Sequence, residues 1–110
     1  MTNSKIQTYL GFCIRARKIA FGTDDLEKRT KGVFLILSDG GLSPNAFKIV
    51  LTAKERLNCP LLITEKGLLG ELLHRYGVKA VSIKDKNLAT AILSAAEGES
   101  EFKLYSGGNN

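Results

Sequence analysis

The chain has 110 residues, 44% hydrophobic and 25% charged, with a formal net charge of +5 and a pI near 9.4. That length suits one domain burying roughly two-thirds of its unfolded surface, and the composition excludes disordered, fibrous and membrane-embedded classes. No apolar run approaches the ~20 residues that span a bilayer, MTNSKIQTYLGF lacks signal-peptide features, and Cys13 and Cys59 are too few for a disulfide framework and too isolated for zinc. A cytoplasmic protein with two reduced, half-buried cysteines is expected.

Asn3 or Ser4 caps a first helix, with Ser4 and Gln7 spaced as a capping box. Ile6, Tyr9, Leu10 and Cys13 form one apolar stripe, and the helix runs out near Arg15, Arg17 and Lys18. Ile19-Ala20-Phe21 is too short for a helix and reads as a strand, from which Gly22 permits a sharp exit. Thr23 is a good N-cap, Asp24, Asp25 and Glu27 suit the positive end of a helix, and Lys28, Arg29 and Lys31 suit its last turns before Gly32. Val33–Leu37 reads as a central strand buried on both faces, ended by Ser38-Asp39-Gly40-Gly41.

Ser43-Pro44 starts a helix whose apolar positions are Ala46, Phe47, Val50, Ala53 and Leu57. Lys48, Lys54, Glu55 and Arg56 lie on its solvated face. Leu61–Thr64 is a third strand, and Leu68, Leu69, Leu72, Leu73 and Tyr76 mark a helix stopped by Gly77. Ala80–Ile83 is a fourth strand, and Asp85 caps a helix carrying Leu88, Ile92 and Leu93. The sum is αβαβαβαβα, an α/β chain. It predicts a single-domain three-layer α/β/α sandwich over residues 1–96, around a small, mostly parallel, mixed sheet of four strands. Beyond Glu97 the periodicity stops, and residues 97–110 read as a frayed tail.

Charge is uneven: residues 1–31 hold seven Lys or Arg against three acids, which points to an anionic partner. The exposed helix tip after Phe21 would present backbone N–H groups, a hydroxyl, two carboxylates and Lys28; a helix capped merely to suit its own dipole would look the same. Enzyme chemistry is not indicated. There is no phosphate-binding glycine motif, His74 has no ligand-spaced neighbours, and no serine, cysteine and histidine set suggests an activated nucleophile. Asp24-Asp25 opens a helix instead of ending a first strand, which argues against a phosphate-accepting receiver domain. No catalytic residue, metal or cofactor is expected.

The stretch Gly22-Thr23-Asp24-Asp25-Leu26-Glu27-Lys28 resembles the G-[AT]-N-E-x-x-K signature of the kink-turn-binding ribosomal-protein family, the L-seven-Ae and L-thirty-e type. LGFCIRARK is similar to the LGLARRAGK opening of its small bacterial, YlxQ-like branch; VFLILSD and LLGELL resemble two further family segments. The resemblance implies an α/β/α sandwich and a monomer that binds ribosomal or other kink-turn RNA, with no membrane partner. The second helix would enter the groove opened by the bulge and contact guanine edges, since A-form RNA otherwise hides its major groove. It implies a tip of Gly22, Thr23, Asp24, Asp25 and Lys28, with Arg75–Lys79 covering the bulged nucleotide and Val78 as its apolar contact. Arg15, Arg17 and Lys18 are expected on the RNA backbone. The chain differs from the family pattern at Asp24 (asparagine), Asp25 (glutamate) and Arg17 (glycine). The other function consistent with these departures is a protein-interaction module whose acidic tip faces a basic partner.

Overall fold

Five helices and five short strands alternate along residues 4–106, the part of the chain that the computed structural model describes. They are α1 (Ser4–Arg15), β1 (Ile19–Phe21), α2 (Thr23–Lys28), β2 (Leu35–Asp39), α3 (Pro44–Leu57), β3 (Leu61–Thr64), α4 (Leu68–Leu73), β4 (Ala80–Ile83), α5 (Lys86–Ala96) and β5 (Phe102–Leu104). The Asn3 cap lies outside the described residues.

The strands form one mixed sheet in the order β1-β4-β2-β3-β5. Only β2 and β3 run parallel, joined by the 14-residue α3; the other three pairings are antiparallel. The sheet therefore corrects two expectations: it is not mostly parallel, and it has five strands. The fifth falls in the stretch 97–110 expected to be a frayed tail. Phe102 opposes Thr64, Leu104 opposes Leu62, and the Tyr105 N–H donates to the Leu61 carbonyl at 2.9 Å. Three residues carry too little periodicity to betray a strand whose partner lies about 40 positions earlier.

Strand alternation feeds two cores. Leu35, Leu37, Leu62, Val81 and Ile83 pack with Ile6, Leu10 and Cys13 of α1, with Leu69, Leu72 and Leu73 of α4, and with Ala89 and Ile92 of α5. Ile36, Leu61 and Ala80 pack instead with Leu26 of α2 and with Val50 and Ala53 of α3. Cys13 and Cys59 are free and fully buried, not half-buried, and burial pushes the Cys13 thiol up to about 11, with Asp85 adding to the shift.

Helix starts follow the sequence more closely than helix ends. The Ser43 hydroxyl accepts from the Ala46 N–H ahead of Pro44, and the Asp85 carboxylate accepts from the Leu88 N–H at 2.8 Å. Three helices, however, end on left-handed residues other than glycine: Arg17 (φ 59°), Asn58 (φ 53°) and His74 (φ 56°). After α1, the Lys18 N–H reaches the Cys13 carbonyl and the Arg17 N–H reaches Ile14, the paired bonds of a Schellman cap. His74 closes α4 in the same way, so the helix ends at Leu73, well before Gly77, and Tyr76 leaves the apolar stripe to stand 73% exposed. Strand β2 likewise starts two residues late, at Leu35, which puts Phe34 at the surface instead of in the core.

Candidate nucleic-acid interface

The tip is built by the exit from β1. The Gly22 N–H still donates to the Ala80 carbonyl at 2.8 Å, but its backbone has swung to φ 94°, ψ 162°, a region that glycine occupies with little strain. Gly22 is thus the N-cap residue and Thr23 the first residue of α2; the expected Thr23 cap is corrected, because no side chain caps this end. Asp24 is exposed in the first turn, and among the described residues its carboxylate has no hydrogen-bond partner. Asp25 is occupied: Arg29 Nε donates to its Oδ2 at 2.6 Å and Nη2 to its Oδ1 at 3.2 Å.

Helix α2 ends at Lys28, short of the expected Gly32. Fully buried Leu26 anchors one face. Arg56 of α3, expected only to be solvated, reaches across and donates to the carbonyls of Leu26 at 2.5 Å and Arg29 at 2.9 Å. A cation on the last carbonyls complements the negative helix end and fixes this six-residue helix in place.

Beside the tip runs the loop from His74 to Lys79. The Arg75 guanidinium lies 4.4 Å from the centroid of the Phe21 ring, a cation–π contact that ties the loop to the end of β1. Val78 is half-buried against the α1, α4 and α5 core, while Lys79 is exposed. Phe21, Gly22, Thr23, Gly77, Val78 and Lys79 line a shallow recess of about 350 Å³.

Asp39, at the end of β2, holds the neighbouring turns in register. Only 2% exposed, its carboxylate accepts from the N–H groups of Gly41 (2.8 Å), Gly67 (3.0 Å) and Leu69 (3.1 Å) and from the Thr64 hydroxyl (3.3 Å). Burial opposes its ionisation, yet the N–H groups of Gly67, Gly41 and Leu69 and the Lys79 charge hold the carboxyl below its ordinary range. Its own N–H donates to the Lys79 carbonyl at 2.8 Å, so the acid that serves as α4's cap also fixes the start of β4's approach.

The predicted site residues therefore divide. Gly22, Thr23, Val78 and Lys79 meet at one recess, and Arg75 is joined to it through Phe21. Lys28 and Asp25 line a separate hollow of about 600 Å³ with Arg29, Lys31 and Lys84. Arg17 and Lys18 stand at the other end of β1, where the Lys84 N–H donates to the Lys18 carbonyl at 2.7 Å; Arg15 lies over the Phe12 ring at 5.0 Å. Lys84 was not singled out by its sequence context, because only the β1–β4 pairing brings it to this end. Among the described residues, no group of three or more His, Cys, Asp or Glu side chains is placed to hold a metal ion, and no helix is long and apolar enough to cross a membrane.

No protein-family model matches the chain, and no curated protein matches it. The fold is shared with a solved structure, described as a protein with unknown function from Bacillus halodurans. It superposes with a TM-score of 0.72 at 18% identity, covering 83% of this chain and 95% of that one.

Proposed function

We propose that this chain is an RNA-binding protein that recognises structured RNA of the kink-turn type with the tip of α2 and the Arg75–Lys79 loop. The observation that carries this reading is the recess shared by Gly22, Thr23, Val78 and Lys79, two segments more than fifty residues apart that the family resemblance assigns to the same ligand. Among the described residues the single ion pair is Arg29–Asp25, which leaves Lys28 and Lys79 free to meet phosphate or guanine acceptors. Asp25, held by Arg29, orients its own helix; Asp24 is the acid presented outward.

On this reading the layers are α1, α4 and α5 on one side of the sheet and α2 and α3 on the other, the α/β/α sandwich of the family, which the two separate cores support. The protein acts as a cytoplasmic, ribosome-associated monomer without catalytic role or cofactor, and membership of the YlxQ-like branch belongs to the same proposal. Titration against a kink-turn RNA and a control with disrupted G·A pairs tests it. Preference for the kink-turn, with affinity falling linearly in log–log as salt rises, is the expected result. Equal affinity for the two RNAs would show that the tip does not read the kink-turn, and RNA binding without the salt dependence of phosphate contacts would leave the protein-interaction module as the better reading.

A further inference from the structure

The end of the sheet opposite the tip carries a feature that the kink-turn reading does not use. Phe34, just before β2, is 40% exposed and belongs to neither core. Its N–H donates to the Ile83 carbonyl at 2.9 Å, which seats it beside Lys84. Phe34, Lys31 and Lys86 line one recess of about 470 Å³ with apolar walls from Leu57, Pro60 and Leu93. Thr30, Lys31 and Gly32 also line the hollow that holds Lys28, Lys84 and the Arg29–Asp25 ion pair, so the two depressions adjoin. An exposed aromatic ring thus sits among Lys31, Lys84 and Lys86. Among the described residues none of these ammonium groups has a carboxylate partner, and the acid adjacent in sequence, Asp85, is engaged as the cap of α5.

Buried, paired charges belong to a fold; a ring flanked by unpaired cations matches the chemistry of an unpaired nucleotide. The base offers a π-face to stack and the backbone supplies negative charge at a spacing that several lysines can track. We infer that this end of the molecule is a second nucleic-acid contact, which takes a short single-stranded RNA segment, with Phe34 as the stacking platform and Lys31, Lys84 and Lys86 on the phosphates. The inference extends the RNA reading to a different surface and a different RNA form: structured RNA at the α2 tip, unpaired strand at the Phe34 end. The lysine at the end of α2, Lys28, lies between the two.

The probe is a fluorescein-labelled ten-nucleotide oligouridine RNA, titrated by anisotropy at low and moderate salt. Wild type binds it, Phe34→Leu weakens binding about tenfold, and Phe34→Tyr, which keeps a ring, binds like wild type. Replacing Lys31, Lys84 and Lys86 together by alanine lowers the salt slope by about 2, the value for three single-strand phosphate contacts. Thermal melts of each variant establish that it is folded, and the tyrosine variant keeps the test valid if the leucine variant is not. No binding of the oligouridine by wild type overturns the inference. So does a Phe34→Leu protein that binds as tightly as wild type, because that result shows that the ring does not stack on a base. The two RNA readings fail separately. A protein blind to the kink-turn but dependent on the Phe34 ring for oligouridine loses only the tip; one that reads the kink-turn with a dispensable ring loses only the second contact.

Discussion

Asp39 ends strand β2 and Asp24 lies just after β1, and the two acids are used in opposite ways. Asp39 is buried and surrounded by donors: three backbone N–H groups and a hydroxyl satisfy its carboxylate, and it ties β2 to the turns before α3 and α4. Asp24 is exposed at the tip of α2 with no partner among the described residues. An acid whose hydrogen-bonding capacity is filled within the chain has nothing left for a ligand, and its removal orphans buried donors. An acid left unfilled at a fixed helix tip costs the fold almost nothing to change and is available to a partner. The contrast separates the part of this end that makes the structure from the part proposed to meet RNA.

The largest effect expected from that contrast is at Asp39. Asp39→Ala leaves buried N–H groups unpaired and should lower the unfolding free energy by about 3 kcal/mol, measured by urea denaturation at pH 7. The sign with pH follows from the depressed folded pKa. The stabilisation is fully present above the ordinary carboxylate value, about 3.9, and is lost as pH falls through the folded value. Asp39→Asn should therefore flatten the acid limb of the stability curve; an unchanged limb would mean that the carboxylate is not held ionised.

Val78 comes next. The sequence marks it as an exposed contact, but it is half-buried against the α1, α4 and α5 core. Val78→Asp should cost about 2 kcal/mol of stability as well as weaken RNA binding, because it places a carboxylate against apolar side chains. A variant with wild-type melting temperature and weakened binding would restore the purely surface role.

Asp24→Asn sharpens the comparison most. A carboxylate facing guanine O6 or N7 sets acceptor against acceptor, whereas asparagine supplies a donor in nearly the same shape. Kink-turn affinity should rise about tenfold, roughly 1.4 kcal/mol, with stability barely changed. A loss of affinity on titration would show that Asp24 accepts from guanine N1–H or N2–H₂ instead.

The smallest change expected is at Arg17, which holds φ 59° at the Schellman cap of α1, where the family pattern has glycine. Arg17→Gly should stabilise the fold by about 1 kcal/mol by relieving left-handed strain. Its effect on the salt slope for kink-turn RNA should be nil to one unit, since Arg17 stands at the far end of β1 from the recess. A loss of stability on denaturation would show that the arginine side chain contributes more than its backbone angle costs.

What could be read in advance follows the range of the interaction. Ser43-Pro44 and Asp85 announce their helices because caps act within three residues, and Leu61–Thr64 and Ala80–Ile83 announce their strands by composition. The end of α1 near Arg15 falls where the sequence placed it, but the end of α4 at His74 was hidden because an ordinary residue takes the angle usually given to glycine, so Gly77 attracted a stop that belongs at His74; α2 ends in extended backbone at Arg29, before the expected Gly32. Strand β5, the exposure of Phe34, the reach of Arg56 and the place of Lys84 depend on partners distant in sequence, which no local pattern carries. Of the candidate site, the tip and the 75–79 loop were legible as segments. Their shared recess, and the division between Lys28 and Lys79, required the sheet order.

On the proposed function, the α2 tip and the loop beside it contact kink-turn RNA together. Amide chemical-shift mapping of the nitrogen-15-labelled protein, with a kink-turn RNA and with its G·A-disrupted control, tests this most directly. The largest shifts are expected at Gly22–Asp25 and Gly77–Lys79 with the kink-turn, and much smaller shifts there with the control. Shifts that are the same for both RNAs, or that leave those two segments unmoved, would contradict it.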